Sequence, residues 1–259
     1  MLIFGKVKNA LIHRMNSWLQ WRRNSVSWTS IQGPWLFSML QLIHETSLFA
    51  PEAEVERKRL LKDCSAVAPM DFGAGSQSKS RTIADIAKSA LKRPRHARAL
   101  AALSRHIGAK KVLELGTCLG ITTAYLSKEA QSVTTLEGNP ALALQAEVIW
   151  KRLNIQNIQC ITGAFDDILP TLPAEQYDLI FIDGNHRGEA MSRYVNVLAP
   201  SLSPKGVIVC DDIHWSADME HAWDKLVQDS RWTLKADFYE WGLLTANSDL
   251  ASEFHCIRF

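Results

Sequence analysis

The chain lacks any apolar run approaching the ~18 residues a helix needs to cross a bilayer, so stable membrane insertion is not expected. It also lacks a surplus of charge. With 29 basic and 27 acidic side chains the net charge is +2, and bulk electrostatic binding of nucleic acid is not expected. Cysteine pairs are missing too: Cys64, Cys118, Cys160, Cys210 and Cys256 are scattered, with no C-x-x-C spacing. That pattern speaks against zinc or a disulfide framework, and three of the five sit in apolar runs, as buried free thiols in a reducing cytosol would. No acid precedes Glu45, whereas Lys6, Lys8, Arg14, Arg22 and Arg23 do. The apolar start MLIF is cut by Lys6 and Lys8 and is followed by no small-residue cleavage site. A secretory leader is therefore not expected, and a cytoplasmic location is. Internal repeats and low-complexity tracts are absent as well.

What is present is enough apolar residue, 47% of 259, for one sizeable core. Residues 1–48 are rich in tryptophan (Trp18, Trp21, Trp28, Trp35), and Leu11, Met15 and Trp18 fall at helical spacing. The expectation is a helix packed on its own domain or in a homodimer contact, with contact to anionic lipid as the alternative. Residues 51–63 read as a solvated charged helix, 68–81 as a Gly/Ser-rich loop and 82–107 as helix. From 110 the pattern changes. Short β-rich runs at 111–115, 132–137, 157–162, 178–183 and 206–211 alternate with helical stretches at 121–130, 140–153, 187–200 and 216–229. Such alternation, with nearly continuous apolar strands, predicts a parallel sheet covered on both faces. The β-rich tail is expected to add antiparallel edge strands. The chain thus divides into a mostly helical N-terminal extension (1–108, with the Gly/Ser loop at 71–81) and a Rossmann-like, doubly wound α/β domain (109–259).

In open parallel sheets ligands bind at the carboxyl ends of the strands, where the order reverses. The first strand runs into VLELGTCLG (112–120), a turn in which Gly116 and Gly120 let a ligand approach the backbone. Its spacing is G-x-x-x-G rather than the dinucleotide fingerprint G-x-G-x-x-G; Cys118 stands where the second glycine of that fingerprint would be. Glu114 precedes the turn and is placed to meet a cationic or amino-bearing ligand. Glu137 ends the second strand, 21 residues after Gly116, where a carboxylate can accept both hydroxyls of a ribose.

With these motifs in hand, residues ~109–215 resemble a class I S-adenosylmethionine-dependent methyltransferase domain, most similar to the catechol-type small-molecule O-methyltransferases. The resemblance implies a cofactor, S-adenosylmethionine, whose methionine portion is held by Glu114 and by Gly116, Thr117 and Gly120 of the turn. Thr122 matches the family's hydroxyl contact to the cofactor carboxylate, and LEGNP (136–140) places Glu137 on the ribose. GAFDDILP (163–170) matches the adenine-side loop, with Gly163, Ala164, Phe165 and Asp166 near the base.

Two further strand ends, FIDGNH (181–186) and CDDIH (210–214), converge on the same crevice. Asp183, Asp211 and Asp212 offer hard oxygen ligands for Mg²⁺ or another divalent cation, which would polarise a substrate hydroxyl. In the family the matching positions are Asp, Asp and Asn, with a lysine base three residues after the first Asp. Here Asp212 replaces the Asn and His186 replaces the lysine. His186 is the candidate general base. Asp183 is both a candidate catalytic residue and a cofactor contact, or simply a helix cap. His214 and Trp215 follow as candidate pocket residues, or as a helix start and a core residue.

A second glycine motif, DFGAG (71–75), looks like a cofactor turn but lacks the strand before it and the acid-tipped strand after it. The segment resembles a loop found ahead of the cofactor domain in a group of bacterial methyltransferases, and is read as a lid or a linker. The expected activity is methyl transfer to a small-molecule acceptor, at oxygen, without nucleic acid as partner. The rivals are an NAD-dependent oxidoreductase of similar fold and a non-catalytic scaffold on a methyltransferase domain. The first is disfavoured by the G-x-x-x-G turn and by tyrosines that all lack a lysine four residues on. The second is disfavoured by the intact Glu114, Gly116, Gly120 and Glu137.

Overall fold

A computed structural model of the chain describes residues 2–44, 50–68, 81–173 and 175–258. The N-terminal part runs α1 (Leu2–Asn24), β1 (Val26–Ser27), α2 (Pro34–Ile43), α3 (Pro51–Leu60), β2 (Ala66–Val67), β3 (Arg81–Thr82), α4 (Ile83–Ala90) and α5 (Pro94–His106). Next come β4 (Lys111–Leu115), α6 (Ile121–Ser127), β5 (Ser132–Glu137), α7 (Pro140–Arg152), β6 (Ile158–Thr162) and α8 (Phe165–Ile168). The chain continues with β7 (Tyr177–Ile182), α9 (Gly188–Leu198), β8 (Leu202–Asp211), α10 (Ala217–Gln228), β9 (Leu234–Asp237), β10 (Trp241–Thr245) and β11 (Glu253–Arg258).

Nine strands form one sheet in the order β1-β11-β9-β10-β8-β7-β4-β5-β6. Successive strand residues point to opposite faces, and here both faces are apolar. Leu179, Phe181, Val207 and Val209 pack on one side with residues of α2, α4, α5, α6 and α7. Ile180, Ile182, Ile208 and Cys210 pack on the other with α9 and α10. The doubly wound, mostly parallel sheet follows from those runs as expected. The antiparallel strand, however, is not at the edge. β10 lies between β8 and β9 and runs against both, while β9, β11 and β1 continue beyond it in the direction of β8. Its sequence WGLLT is buried throughout, whereas β11 is largely exposed or half-buried. A strand with no exposed residue is better placed with neighbours on both sides.

The helix expected over 82–107 is two helices. Pro94 opens α5, and the residue before it, Arg93, is extended (φ −59°, ψ 149°), as the proline ring requires. α3 is solvated along one side only. Glu56 and Arg57 are buried; Glu56 pairs with Arg59 and Arg152, and Glu54 accepts from Arg57 and from Tyr125 at 2.9 Å. Glu54 and Glu56 thus meet α6 and α7, while Glu52, Lys58 and Arg59 remain exposed. All five cysteines are free thiols, and among them only Cys210 is fully buried.

α1 packs on the body of its own chain, through a polar contact and not through the expected stripe. Met15 and Trp18 are about half exposed, while Ser17 is buried. Ser17 Oγ lies 3.0 Å from His214 Nδ1 and donates to Glu220 at 2.7 Å; His214 Nε2 meets Asp237 Oδ2 at 2.8 Å. Tyr239 stacks on the His214 ring, Trp223 Nε1 donates to Asp237, and His13 faces Glu220 at 3.2 Å. Burial alone would depress His214, but Asp237 and Glu220 outweigh it and raise its pKa above the ordinary 6.5. The imidazolium is therefore favoured by folding. Its stabilising contribution is complete below the unfolded value and is lost as pH rises through the raised folded value. The melting temperature of the wild type, taken relative to His214→Gln, should fall as pH rises through the neutral range and above. A difference that stays constant over that range in thermal denaturation would contradict this account of α1 docking.

Candidate active site

The strand order reverses between β4 and β7, and the G-x-x-x-G turn leaves β4 at that point. Gly116 has φ +104°, and a Cβ there would lie 1.8 Å from the Asp183 carbonyl oxygen. Asp183 N in turn donates to Leu115 O at 2.8 Å, locking the end of β7 against the turn. Gly120 (φ +72°) is covered by Trp150 of α7, whose Nε1 donates to Gly120 O at 2.9 Å. The space cleared by both glycines is thus filled by the protein's own chain. Their role is to bring strand ends and α7 close together, which sets the shape of the crevice.

Glu137 is buried at the tip of β5 and its two oxygens are each fixed by a backbone N–H: Oε2 by Cys118 and Oε1 by Asn139, both at 2.8 Å. Cys118 adopts a left-handed conformation (φ 51°), which aims its N–H at the carboxylate. Burial raises the Glu137 pKa while those backbone donors oppose the rise. Glu114 is fully buried. Oε2 accepts from Thr123 and from Thr135 at 2.7 Å, and Oε1 has no hydrogen-bond partner. Burial pushes its carboxyl up to about 8, with Asp183 and Glu137 adding to the rise. Glu114 therefore faces α6 and β5 from inside. Thr117 is likewise turned inward, its Oγ1 2.6 Å from that of Thr135, and Thr122 is buried on α6. Thr123 and Thr135, which orient Glu114, were not singled out in the sequence; neither stands in a motif.

On the far side of β5, Gly163 N donates to Glu137 O at 2.9 Å, and Ala164 caps the short helix α8. The Phe165 ring covers Gly184, where a Cβ would come within 2.7 Å of it, and meets Tyr194 edge-on. Asp166 is largely exposed and forms an ion pair with Arg193 at 2.9 Å. Gly163 thus sits against Glu137 and Phe165 against Gly184, while Asp166 is tied to α9.

The aspartates at the ends of β7 and β8 enclose a lysine that the sequence did not flag. Lys92 Nζ bonds Asp211 Oδ2 and lies 3.3 Å from Asp183 Oδ1. Burial would lower the Lys92 pKa, but the carboxylates of Asp183, Asp211 and Asp212 prevail and raise it, so the ammonium persists. Asp212, in a left-handed conformation (φ 53°), turns to His186, with Nδ1 to Oδ2 at 3.5 Å. Asp183, Asp211 and Asp212 are therefore neighbours, but an ammonium stands between the first two and the third faces a different partner. Among the described residues no group of three His, Cys, Asp or Glu side chains is arranged to hold a metal ion. The residues present do not fit the divalent cation expected there.

His214 belongs to the α1 contact described above, and Trp215 is half exposed beneath Arg14, 4.5 Å from its ring; neither the pocket role nor the core role for Trp215 matches that placement. The loop read at 71–81 lies outside the described residues apart from Arg81. Its near root is placed beside the crevice: Asn139 Nδ2 donates to Ala68 O at 3.3 Å, and β2 pairs with β3. Among the described residues no helix is long and apolar enough to cross a membrane.

A doubly wound sheet whose order reverses beside a G-x-x-x-G turn, with an acid on the next strand tip, defines the class I, Rossmann-like methyltransferase fold. Residues 113–213 match the family described as methyltransferase domain. Over 119 residues the chain is 34% identical to a catechol O-methyltransferase of Mycobacterium tuberculosis, covering 44% of this chain and 53% of that protein. It is 37% identical over 75 residues to a protein-L-isoaspartate O-methyltransferase of Roseobacter denitrificans, covering 25% and 35% respectively. The chain thus spans about half the length of one curated relative and about a third of the other. Among solved structures, a methyltransferase of Podospora anserina bound to S-adenosylhomocysteine superposes with a TM-score of 0.58 at 18% identity, over 76% of this chain and 88% of that one. An O-methyltransferase of Bacillus cereus gives 0.52 at 21%, over 60% and 82%.

Proposed function

We propose that the protein transfers a methyl group from S-adenosylmethionine to a small-molecule acceptor, at oxygen. The observation that carries this reading is the charge around the turn. Asp183 raises the proton affinity of both Glu114 and Glu137 across it, and Glu137 raises that of Glu114. The nearby ammonium, Lys92, is already engaged by Asp183 and Asp211. A sulfonium and an amino group would relieve that acid cluster, whereas the pyrophosphate of a nicotinamide cofactor would be repelled by it.

In this reading Glu137, held by two backbone donors, accepts the ribose hydroxyls. The Gly116–Gly120 turn and Asp183 hold the methionine portion, and Gly163, Ala164 and Phe165 border the base. Methyl transfer is an in-line displacement at carbon, so these residues act by positioning the reactants and excluding water. When bound, the cofactor supplies the electrophilic methyl group. His186 is exposed enough to accept a proton from the acceptor, with Asp212 beside it. The segment 1–108 would form the acceptor side of the crevice, since Lys92 enters from it. No step is assigned to a metal.

Isothermal titration with S-adenosylmethionine, S-adenosylhomocysteine and NADH tests the assignment. Saturable binding of the first two and no heat from NADH are expected. Binding of NADH without any response to S-adenosylhomocysteine would replace this reading with the oxidoreductase one.

A further inference from the structure

We propose that Lys92 is a built-in cation that takes the place of a divalent metal at the acceptor site and holds the acceptor's oxygen during transfer. The inference rests on the methyl-transfer reading above and deepens it. Its basis is the position of one side chain. Leu91 and Arg93 on either side are extended (ψ 128° and 149°), and Pro94 starts a new helix at once. The break between α4 and α5 therefore projects Lys92 toward the sheet instead of leaving it on a helix surface. Its ammonium bonds Asp211 at the end of β8 and approaches Asp183 at the end of β7 to 3.3 Å. These are two of the three carboxylates that the sequence offered to a metal.

An ammonium carries three donors. Two face the aspartates, and the side chain keeps 15% of its surface exposed, which leaves one donor for a molecule in the crevice. A positive charge and a donor beside the acceptor oxygen can supply the electrostatic stabilisation a metal would give, without exchangeable ligands. The step balances simply. The acceptor hydroxyl gives its proton to His186, which passes it on to solvent, and Lys92 stabilises the resulting oxyanion. That oxygen forms a bond to the methyl carbon while the carbon–sulfur bond breaks with its electron pair on sulfur. A methyl ether and a neutral thioether result, and the lysine charge is unchanged.

The test uses the whole chain and two readouts. First, Mn²⁺ is titrated and followed by electron paramagnetic resonance. The wild type is expected to bind none tightly, whereas Lys92→Ala frees Asp183 and Asp211 and should gain a Mn²⁺ site. Second, transfer from labelled S-adenosylmethionine into a metabolite extract is measured with and without EDTA. Wild-type incorporation should be insensitive to the chelator. Lys92→Met should lose about 100-fold or more while binding S-adenosylhomocysteine within about threefold of wild type, and Lys92→Arg should restore part of the rate. Stoichiometric Mn²⁺ binding by the wild type, loss of turnover in EDTA, or full turnover by Lys92→Met would each overturn the proposal. Absence of both S-adenosylhomocysteine binding and incorporation in the wild type is a different outcome and would overturn the methyl-transfer reading itself. If Lys92→Met fails to fold, the wild-type Mn²⁺ and chelator measurements still decide.

Discussion

Gly116→Ala is expected to abolish measurable binding of S-adenosylhomocysteine and to lower stability by roughly 3 kcal/mol. Two effects combine at this position. The backbone is at φ +104°, a region L side chains rarely adopt, and the added Cβ would sit 1.8 Å from the Asp183 carbonyl oxygen and 2.8 Å from its carbon. The atoms in the way are backbone, so no side chain can rotate to relieve the clash. Either the turn or the end of β7 must move, and the Asp183 N to Leu115 O bond of 2.8 Å would be lost with it. Both sides of the crevice shift at once. Gly108→Ala is the control: it also has positive φ (60°), but a Cβ there meets nothing within 4 Å. It should cost only about 1 kcal/mol of strain and leave ligand binding unchanged. Urea unfolding and calorimetry on both variants separate the contributions. Wild-type affinity in Gly116→Ala would show that the turn does not seat the cofactor.

What could be read from the sequence depended on whether a residue's role was set locally. β4 and β5 coincide with the sequence reading to the residue, because a β-rich run bounded by a glycine turn or an acid needs no distant information. Glu137 is legible for the same reason: it ends a β-rich run before Asn139-Pro140, and Asn139 caps α7. Lys92 was not legible. It sits among Arg93 and Arg95, a pattern that usually marks a solvated face, and its partner Asp211 is 119 residues away. Only closure of the sheet brings them together. Pro94 was the one local signal, since it forces the helix to break there. Glu114 shows the opposite failure. Its motif was recognised, but whether its carboxylate faces a ligand or the interior depends on Thr123 and Thr135 on neighbouring elements. The charges of α3 misled in the same way, because burial of Glu56 and Arg57 is decided by α7 and α6 rather than by α3's own sequence.

Glu137→Gln should weaken S-adenosylmethionine and S-adenosylhomocysteine equally, by about 100-fold, corresponding to the loss of one or two charge-assisted hydrogen bonds. The substitution is nearly isosteric, so its effect isolates the chemistry of the site. Both carboxylate oxygens accept from backbone N–H groups, of Cys118 and of Asn139 at 2.8 Å. An amide can satisfy only one of them, because its NH₂ would confront the other donor. The group must therefore rotate or leave an N–H unpaired, and one of the two acceptors offered to a ribose is lost. Because the ribose is common to both ligands, the ratio of their affinities should not change. Asp183→Asn provides the contrast, as it lies on the methionine side of the turn and against Lys92. It should leave binding of 5′-methylthioadenosine, which lacks the amino acid portion, close to wild type, whereas Glu137→Gln should weaken that ligand as much as the others. Calorimetry with the three ligands on both variants reads the pattern directly. Equal losses for 5′-methylthioadenosine in the two variants would mean that the carboxylates do not divide the ligand between ribose and amino acid ends.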